Sequence, residues 1–251
     1  MREKSIDKET IVYAVDEIVG DVRVILDLND ESEQFLDDDD VETLTLNDII
    51  ESKIVDAAKY MLRYAPLRLC GQGRSFGGEI AWDSHRTHAS GYVQLPADFL
   101  RLISFQMSDW QSMVRIAITE DDATYAQQHG DFAGLKGNPE KPVVAIVEYP
   151  TGLALEFFSC RNAQAAIKRA IYIPVPSIKE RNDIESDADA GEDEGVLIAT
   201  SGKTIDLPSK LLKAIEYYAA YLTSMTIRET DANKIAMLKA EAYGAAEMNV
   251  E

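Results

Sequence analysis

The apolar residues of this chain recur with a helical period near both ends and with a strand period between them. Over residues 6–28, 48–64 and 208–228 they return at steps of three and four, which predicts three amphipathic helices. Between residues 92 and 175, short apolar runs alternate with polar residues and turn signals, which is typical of β-strands. The pattern predicts an α+β fold: a helical bundle from the N- and C-terminal helices with an inserted antiparallel β module.

Local signals place the boundaries of several elements. Asn47 or Asp48 is predicted to cap the second helix. The turn Pro150-Thr151-Gly152 predicts a β-hairpin, and the segment from Thr119 to Asp122 begins a short helix that continues through Ala123–His129. The predicted strands are Leu100–Gln106, Met113–Thr119, Val143–Tyr149, Leu153–Ser159 and Ile167–Val175.

Two acidic segments interrupt this pattern and guide the division into domains. Residues 29–42 contain the run Asp37, Asp38, Asp39 and Asp40, and residues 177–195 combine many carboxylates with almost no large apolar side chain. Such runs are usually solvated loops. The predicted division is a helical core (1–91 and 200–251), a β module (92–176), and an acidic loop with a short strand (177–199).

The net charge of −19 narrows the range of partners. A surface of this sign repels phosphate, so we expect no tight binding of nucleic acid. The same surface keeps a protein soluble at high concentration, and it also suits the wall of a channel through which DNA slides without sticking.

The chain carries no sign of export or membrane insertion. No apolar run approaches the roughly 18 residues that a membrane span needs, and the charged N-terminus lacks the apolar core of a secretory signal. We therefore expect it to fold and stay in a cytoplasm, without membrane contact. The two cysteines, Cys70 and Cys160, lie in apolar contexts outside any C-x-x-C pair, which favours buried free thiols over a disulfide.

Two glycine-containing motifs invite a nucleotide-binding interpretation, and neither fits its template. Gly202-Lys203-Thr204 ends like a P-loop, but Leu197 stands where the motif needs glycine, and an extended segment follows instead of a helix. The stretch from Gly71 to Gly78 follows a helix rather than a strand, and its glycine spacing differs from a dinucleotide fingerprint. We predict a turn at the first and a loop at the second.

The histidines and carboxylates do not form a recognisable catalytic or metal site. His85 and His88 lack further ligands at zinc spacing, and His129 stands alone at a helix end, where the helix dipole favours its charged form. The carboxylates lie in runs, and no nucleophile elbow is present. We expect a protein that is not an enzyme and that uses no metal or cofactor.

Several segments together resemble the head-to-tail connector proteins of tailed bacteriophages, also called adaptor, tail tubular or ring proteins. The narrower resemblance is to a ring protein of a crAss-like phage. The features that carry it cover most of the chain: the early helices ending at Tyr64-Ala65-Pro66, the phrase Tyr92–Leu102, the β module, and the closing helix after Asp206-Leu207-Pro208 with its Tyr217–Tyr221 segment.

This resemblance implies a structural protein of the virion, assembled in the cytoplasm of a bacterial host. The family forms a homo-oligomeric ring, a dodecamer, that sits beneath the portal, joins head to tail and lines the DNA channel. The implied partners are further copies of the chain, the portal protein and other tail or ring proteins, while DNA passes through without tight binding. The long β module and the two acidic loops depart from compact adaptors and leave the position in the connector open.

The same resemblance nominates two sets of residues. The acidic run Asp37, Asp38, Asp39 and Asp40 is a candidate channel-facing surface. In the final predicted helix, from Asp231 to Glu247, the apolar face of Ile235, Leu238 and Ala242 is a candidate portal-docking surface. The alternative for this helix is that it folds back on its own domain.

Two other functions stay open from the sequence. One is an acidic cytoplasmic protein-binding or chaperone-like module without catalysis. The other is a hydrolase whose motif is unfamiliar. The particle size in solution separates a ring former from a monomeric enzyme.

Overall fold

The computed structural model describes residues 10–26, 45–83, 89–130, 132–181, 202–227 and 231–248. Within these ranges the chain forms five α-helices and eleven β-strands in three sheets. It divides into two compact units: unit 1 comprises Met1–Gly71 and Pro176–Glu251, and unit 2 comprises Gln72–Val175.

The elements follow one another along the chain with three single 3-10 turns between them. The turns are Leu67–Leu69, Ala133–Leu135 and Ser209–Leu211. The helices and strands are β1 (Thr10–Ala14), α1 (Val15–Ile25), α2 (Leu46–Tyr64), β2 (Arg74–Ser75), β3 (Ala81–Asp83), β4 (Ala89–Gln94), β5 (Phe99–Met107), β6 (Ile118–Thr119), α3 (Ala123–His129), β7 (Val144–Tyr149), β8 (Gly152–Cys160), β9 (Ile167–Pro174), β10 (Ile178–Arg181), β11 (Gly202–Pro208), α4 (Leu212–Thr226) and α5 (Ala232–Ala245).

Unit 1 combines helices with a small sheet of its own. β11 lies between β1 and β10 in an antiparallel sheet, and Ile205 and Leu207 of β11 are fully buried. α4 packs against α1, α2 and α5. The buried face of α2 carries Ile50, Ile54 and Met61, at the helical spacing that the sequence pattern predicted.

The second helix starts earlier than predicted, because Thr45 caps it. The Thr45 hydroxyl accepts a hydrogen bond from the Asp48 backbone N–H, and the Asp48 carboxylate accepts from the Thr45 backbone N–H in return. The Thr45 hydroxyl also donates to Asp48 Oδ2 at 2.7 Å. This bond, followed by the one from the Thr45 backbone N–H, lowers the pKa of Asp48. Asp48 is thus the third residue of a capping box rather than the cap itself.

Unit 2 is built from two sheets that enclose an aromatic core. One sheet has the strand order β3-β4-β8-β7-β6, and the other has the order β2-β9-β5. Val93, Phe105 and Phe157 belong to the one cluster of buried side chains between these sheets. The opposite face of the five-stranded sheet packs Phe158 and Val147 against Tyr125 of α3.

The predicted helical bundle with an inserted antiparallel β module is wrong. Unit 1 contains a sheet of its own in addition to the helices, and β6 pairs in parallel with β7. The first predicted helix, 6–28, fails at Thr10–Ala14, where β1 pairs with β11 before α1 begins. Thr10, Ile11 and Val12 are β-branched, and such a run favours a strand once a partner strand is available.

The strand predictions in unit 2 are confirmed for four of five segments. β5, β7, β8 and β9 cover the predicted residues within one or two positions, and Tyr149 pairs with Gly152 across the predicted hairpin turn. The segment Met113–Thr119 is mostly wrong. It provides one isolated bridge, from Val114 to Phe105, and the two-residue strand β6, because most of its alternating residues face solvent without a partner strand.

One further expectation needs correction. The predicted acidic loop 177–195 begins with β10, which pairs with β11, and residues 182–195 lie outside the described part of the chain. No helix within the described ranges is long and apolar enough to cross a membrane.

Candidate functional site

The C-terminal helix α5, which carries the candidate docking residues, is tied to unit 1 at several points. The Asp231 carboxylate caps its N-terminus by accepting from the backbone N–H groups of Asn233 (2.9 Å) and Lys234 (3.3 Å). Lys234 Nζ donates to the Leu26 carbonyl at the end of α1, at 2.9 Å. Beyond the helix, Glu247 forms an ion pair with Arg68.

The face of α5 that the sequence nominated for docking is used inside unit 1. Leu238 is 1% exposed and Ala242 is fully buried, while Ile235 is half-buried. This is the arrangement of a helix folded back on its own domain. Portal docking by Leu238 and Ala242 stays a prediction, and it would require α5 to leave α4. The exposed side of α5 carries Met237, which is 56% exposed.

A cluster of tyrosine rings joins α2, α4 and α5. The rings of Tyr60 and Tyr218 stack with centroids 4.5 Å apart, and the Tyr60 and Tyr243 hydroxyl oxygens lie 2.7 Å apart. Burial, followed by the neighbouring tyrosines, raises the pKa of Tyr218, so its hydroxyl stays uncharged at neutral pH. Tyr64 extends the cluster to the surface, where it is 56% exposed. The sequence drew attention to the tyrosine-rich segment Tyr217–Tyr221. It could not show that tyrosine rings from α2, α4 and α5 meet.

A buried carboxylate lies on α4 where the helical pattern predicted only an apolar stripe. Glu216 is fully buried, and its Oε2 accepts from Lys213 Nζ at 2.6 Å. The same ammonium lies 3.7 Å from Asp21 Oδ2 of α1. The other oxygen, Glu216 Oε1, is buried without a hydrogen-bond partner. Burial raises the pKa of Glu216, and the Lys213 ammonium opposes that rise.

We expect Glu216→Gln to raise the free energy of unfolding at pH 7 by about 1 kcal/mol, because it removes a poorly compensated buried charge. The folded chain holds the Glu216 proton more tightly than the unfolded chain. Wild-type stability should therefore fall as the pH rises from the ordinary glutamate pKa through the raised one. The gain of the variant should shrink towards zero near pH 4, where wild-type Glu216 is protonated. Urea denaturation followed by far-UV circular dichroism at pH 4–7 measures both effects.

The matched control is Glu241→Gln on α5, which makes the same change at an exposed position. This variant should stay within about 0.5 kcal/mol of the wild type at every pH. A loss of stability in Glu216→Gln at pH 7 would show instead that the ionised pair with Lys213 is net stabilising.

In unit 2, a second cluster of titratable groups lies between α3 and the five-stranded sheet. Glu156 of β8 is 7% exposed, and its Oε2 accepts from the Tyr125 hydroxyl at 3.0 Å. His129 Nε2 lies 4.0 Å from the same oxygen, at the C-terminal end of α3 as predicted. Burial first, and then the Glu156 carboxylate, raises the pKa of Tyr125. Tyr125 therefore acts as a neutral hydrogen-bond donor that anchors α3.

The cysteines are buried free thiols, which confirms the prediction for Cys70 and Cys160. Burial first, and then the nearby Asp109 carboxylate, raises the pKa of Cys160 to about 12. The group therefore stays a thiol at neutral pH, while the thiolate is the form that reacts as a nucleophile.

The remaining candidate residues divide between described and undescribed parts of the chain. Gly202-Lys203-Thr204 lies in the antiparallel strand β11, and Lys203 Nζ donates to Glu51 Oε1 at 2.7 Å. The run from Asp37 to Asp40, together with His85 and His88, lies outside the described residues. Among the described residues, no group of three or more His, Cys, Asp and Glu side chains is placed to hold a metal ion.

Both units expose large apolar side chains, which the sequence pattern alone could not separate from core positions. In unit 1, Val12 of β1 is 62% exposed and Val24 of α1 is 63% exposed. In unit 2, Ile116 is 82% exposed, Phe132 is 76% exposed and Leu135 is 55% exposed. Such positions are candidates for contacts with other molecules.

Comparisons with known proteins identify no family for this chain, so its function must be argued from its own residues. A scan against protein-family models gave no match to this chain, and a search of curated proteins gave no significant match.

Proposed function

We propose that this chain is a structural virion protein that forms a ring beneath the portal of a tailed bacteriophage. In this role it joins head to tail and lines the channel through which DNA passes. The proposal starts from the resemblance to head-to-tail connector proteins. The segment Tyr92–Leu102 and the closing helix after Asp206-Leu207-Pro208 carry this resemblance. Its partners are further copies of the chain, the portal protein and other tail or ring proteins.

The observation that carries the proposal is the set of exposed apolar side chains held by regular structure. Val12 and Val24 project from β1 and α1, and Met237 projects from α5, each more than half exposed. In unit 2, Leu135 of the 3-10 turn Ala133–Leu135 is 55% exposed, and Phe132, which directly precedes this turn, is 76% exposed. A ring subunit needs two different contact surfaces, one for each neighbour, and apolar side chains fixed in position supply such surfaces.

The charge of the chain sets a condition for assembly. Copies that each carry a net charge of −19 repel one another, so their contacts must supply enough apolar burial to overcome that repulsion. Added salt screens charges over a shorter distance, about 10 Å at 0.1 M and about 3 Å at 1 M. Salt should therefore favour a ring of this protein.

We expect the purified chain to form rings, in a larger fraction at 0.5 M than at 0.05 M NaCl, either alone or on purified portal rings from the same phage. Mass photometry measures the fraction, and negative-stain electron microscopy gives the symmetry. A dodecamer of the 27.9 kDa chain has a mass of about 335 kDa. A chain that stays at 27.9 kDa at every salt concentration, and does not bind portal, contradicts the proposal.

A further inference from the structure

The C-terminal end of α5 has a strained backbone. The Met248 N–H donates to the Tyr243 carbonyl at 2.9 Å. The Glu247 N–H donates to the Gly244 carbonyl at 3.1 Å. These two hydrogen bonds form a Schellman motif, a helix end in which Glu247 occupies the position that requires a left-handed backbone. Glu247 has a φ of 53°, and no other residue except glycine has a positive φ in the described part of the chain.

An ion pair accounts for a charged side chain at this position. Glycine is usual there, because a Cβ makes the left-handed conformation unfavourable. The Glu247 carboxylate pairs with the guanidinium of Arg68, which lies in the 3-10 turn after α2. Both side chains are more than half exposed, so water and salt weaken the attraction between them. The end of α5 is therefore held by a weak contact that opposes backbone strain.

The rest of α5 packs thinly on unit 1. The helix buries 3 of its 14 residues, whereas α4 buries 8 of its 15. Of the three, Ala242 is small, so only Leu238 and Tyr243 bury large side chains. The other ties are polar: the Tyr243 and Tyr60 hydroxyl oxygens lie 2.7 Å apart, and Lys234 Nζ donates to a carbonyl at the end of α1. Because apolar burial scales with area, this packing holds α5 only weakly.

We propose that α5 is a releasable arm of unit 1, and that the ion pair between Arg68 and Glu247 is the latch that holds it closed. Opening the arm relieves the backbone strain at Glu247 and requires less free energy than unfolding unit 1. Strained residues of this kind cluster at switch regions. Only the open arm presents Leu238 and Ala242 to another molecule, because both are buried in the closed state. The arm is a property of the single chain and does not depend on the proposed ring.

Hydrogen exchange of the full-length chain, followed by mass spectrometry, measures the opening of the arm. The protein is diluted until mass photometry shows single chains, so that contacts between copies do not protect α5. We expect the amides of α5 to exchange on the order of tenfold faster than those of α4. This difference should grow as NaCl rises from about 0.05 to about 0.5 M, because salt screens the latch.

Substitutions at the latch test the role of the ion pair. We expect Arg68→Ala and Glu247→Ala each to speed the exchange of α5 by about threefold, and the double variant to be no faster than either. The salt dependence of α5 exchange should disappear in all three variants. Arg63→Ala is the matched control, because it removes an exposed arginine from the preceding helix α2. Its α5 amides should exchange like those of the wild type.

Two pairs of variants isolate the backbone strain. Glu247→Gly and Glu247→Ala both remove the carboxylate, and only the alanine keeps a Cβ. We expect α5 to exchange about fivefold more slowly in Glu247→Gly than in Glu247→Ala. Glu241→Gly and Glu241→Ala make the same changes at an exposed position inside α5, where glycine weakens a helix, so the order should be reversed. Thermal unfolding by circular dichroism verifies that every variant is folded.

Each contrary outcome overturns a defined part of the proposal. Equal exchange of α5 and α4 in the wild type would show that α5 opens only when unit 1 unfolds, which rejects the arm. Unchanged exchange in Arg68→Ala rejects the ion pair as the latch. The same order of glycine and alanine at positions 247 and 241 rejects the strain. None of these results bears on the ring, and a chain that forms no ring leaves the arm of the single chain unaffected.

Discussion

Replacing Phe157 with alanine is expected to lower the free energy of unfolding of unit 2 by about 3–5 kcal/mol. Phe157 is fully buried between the two sheets. Its ring centroid lies 5.4 Å from that of Trp82, 6.0 Å from that of Phe105 and 6.4 Å from that of Trp110. The loss combines the lost apolar burial with a cavity that the surrounding rigid rings cannot fill.

Tryptophan fluorescence during urea denaturation measures this effect directly. The chain has two tryptophans, and both pack against Phe157 in unit 2. Phe132→Ala is the matched control, because it makes the same chemical change at a side chain that is 76% exposed, and it should shift the stability by less than about 0.5 kcal/mol. A loss below about 1.5 kcal/mol in Phe157→Ala would mean that the sheets repack around the missing ring.

The strands of unit 2 were predictable because their signals are local. β7 and β8 alternate between two environments, with Val144, Leu155 and Phe157 facing the core between the sheets and Phe158 facing α3. Their turn, Pro150-Thr151-Gly152, needs a glycine, which adopts a φ of 115°. A window of about ten residues is enough to contain this pattern.

The sheet of unit 1 was not predictable because its partners are distant in sequence. Thr10–Ala14 pairs with Thr204–Pro208, at the opposite end of the chain. Over so short a segment, Ile11 and the pair Ala14 and Val15 fit a helical stripe as well as a strand. The choice between them is made by the β11 partner, which local periodicity does not contain.

For the candidate sites, periodicity identified buried faces but not what covers them. Leu238 and Ala242 do lie on the apolar side of α5, yet that side packs within unit 1. The burial of Glu216 was not predictable, because one carboxylate next to an apolar stripe can equally lie at the border between the buried and exposed faces of a helix. The exposure of Phe132 was not predictable either, since one apolar residue in a short connection gives no periodicity from which burial could be inferred.

Replacing Gly73 with alanine is expected to lower the free energy of unfolding of unit 2 by about 2–5 kcal/mol. Gly73 has a φ of 70°, in the left-handed region that costs an alanine about 1–2 kcal/mol. A Cβ at this position would lie 2.4 Å from the Tyr172 carbonyl oxygen and 2.5 Å from Ile103 Cδ1. Relieving that overlap must move β2 away from β9 or shift packed side chains, at a further cost of about 1–3 kcal/mol.

The matched control for this prediction lies four residues further along the same connection. Gly77 has an ordinary φ, and an added Cβ there meets nothing within 4 Å. Gly77→Ala should therefore be neutral or stabilise unit 2 by up to about 1 kcal/mol, because alanine restricts the unfolded chain more than glycine does. Urea denaturation followed by tryptophan fluorescence compares the two variants under identical conditions. Equal stabilities for Gly73→Ala and Gly77→Ala would show that β2 does not pack closely enough on β9 to exclude a Cβ at Gly73.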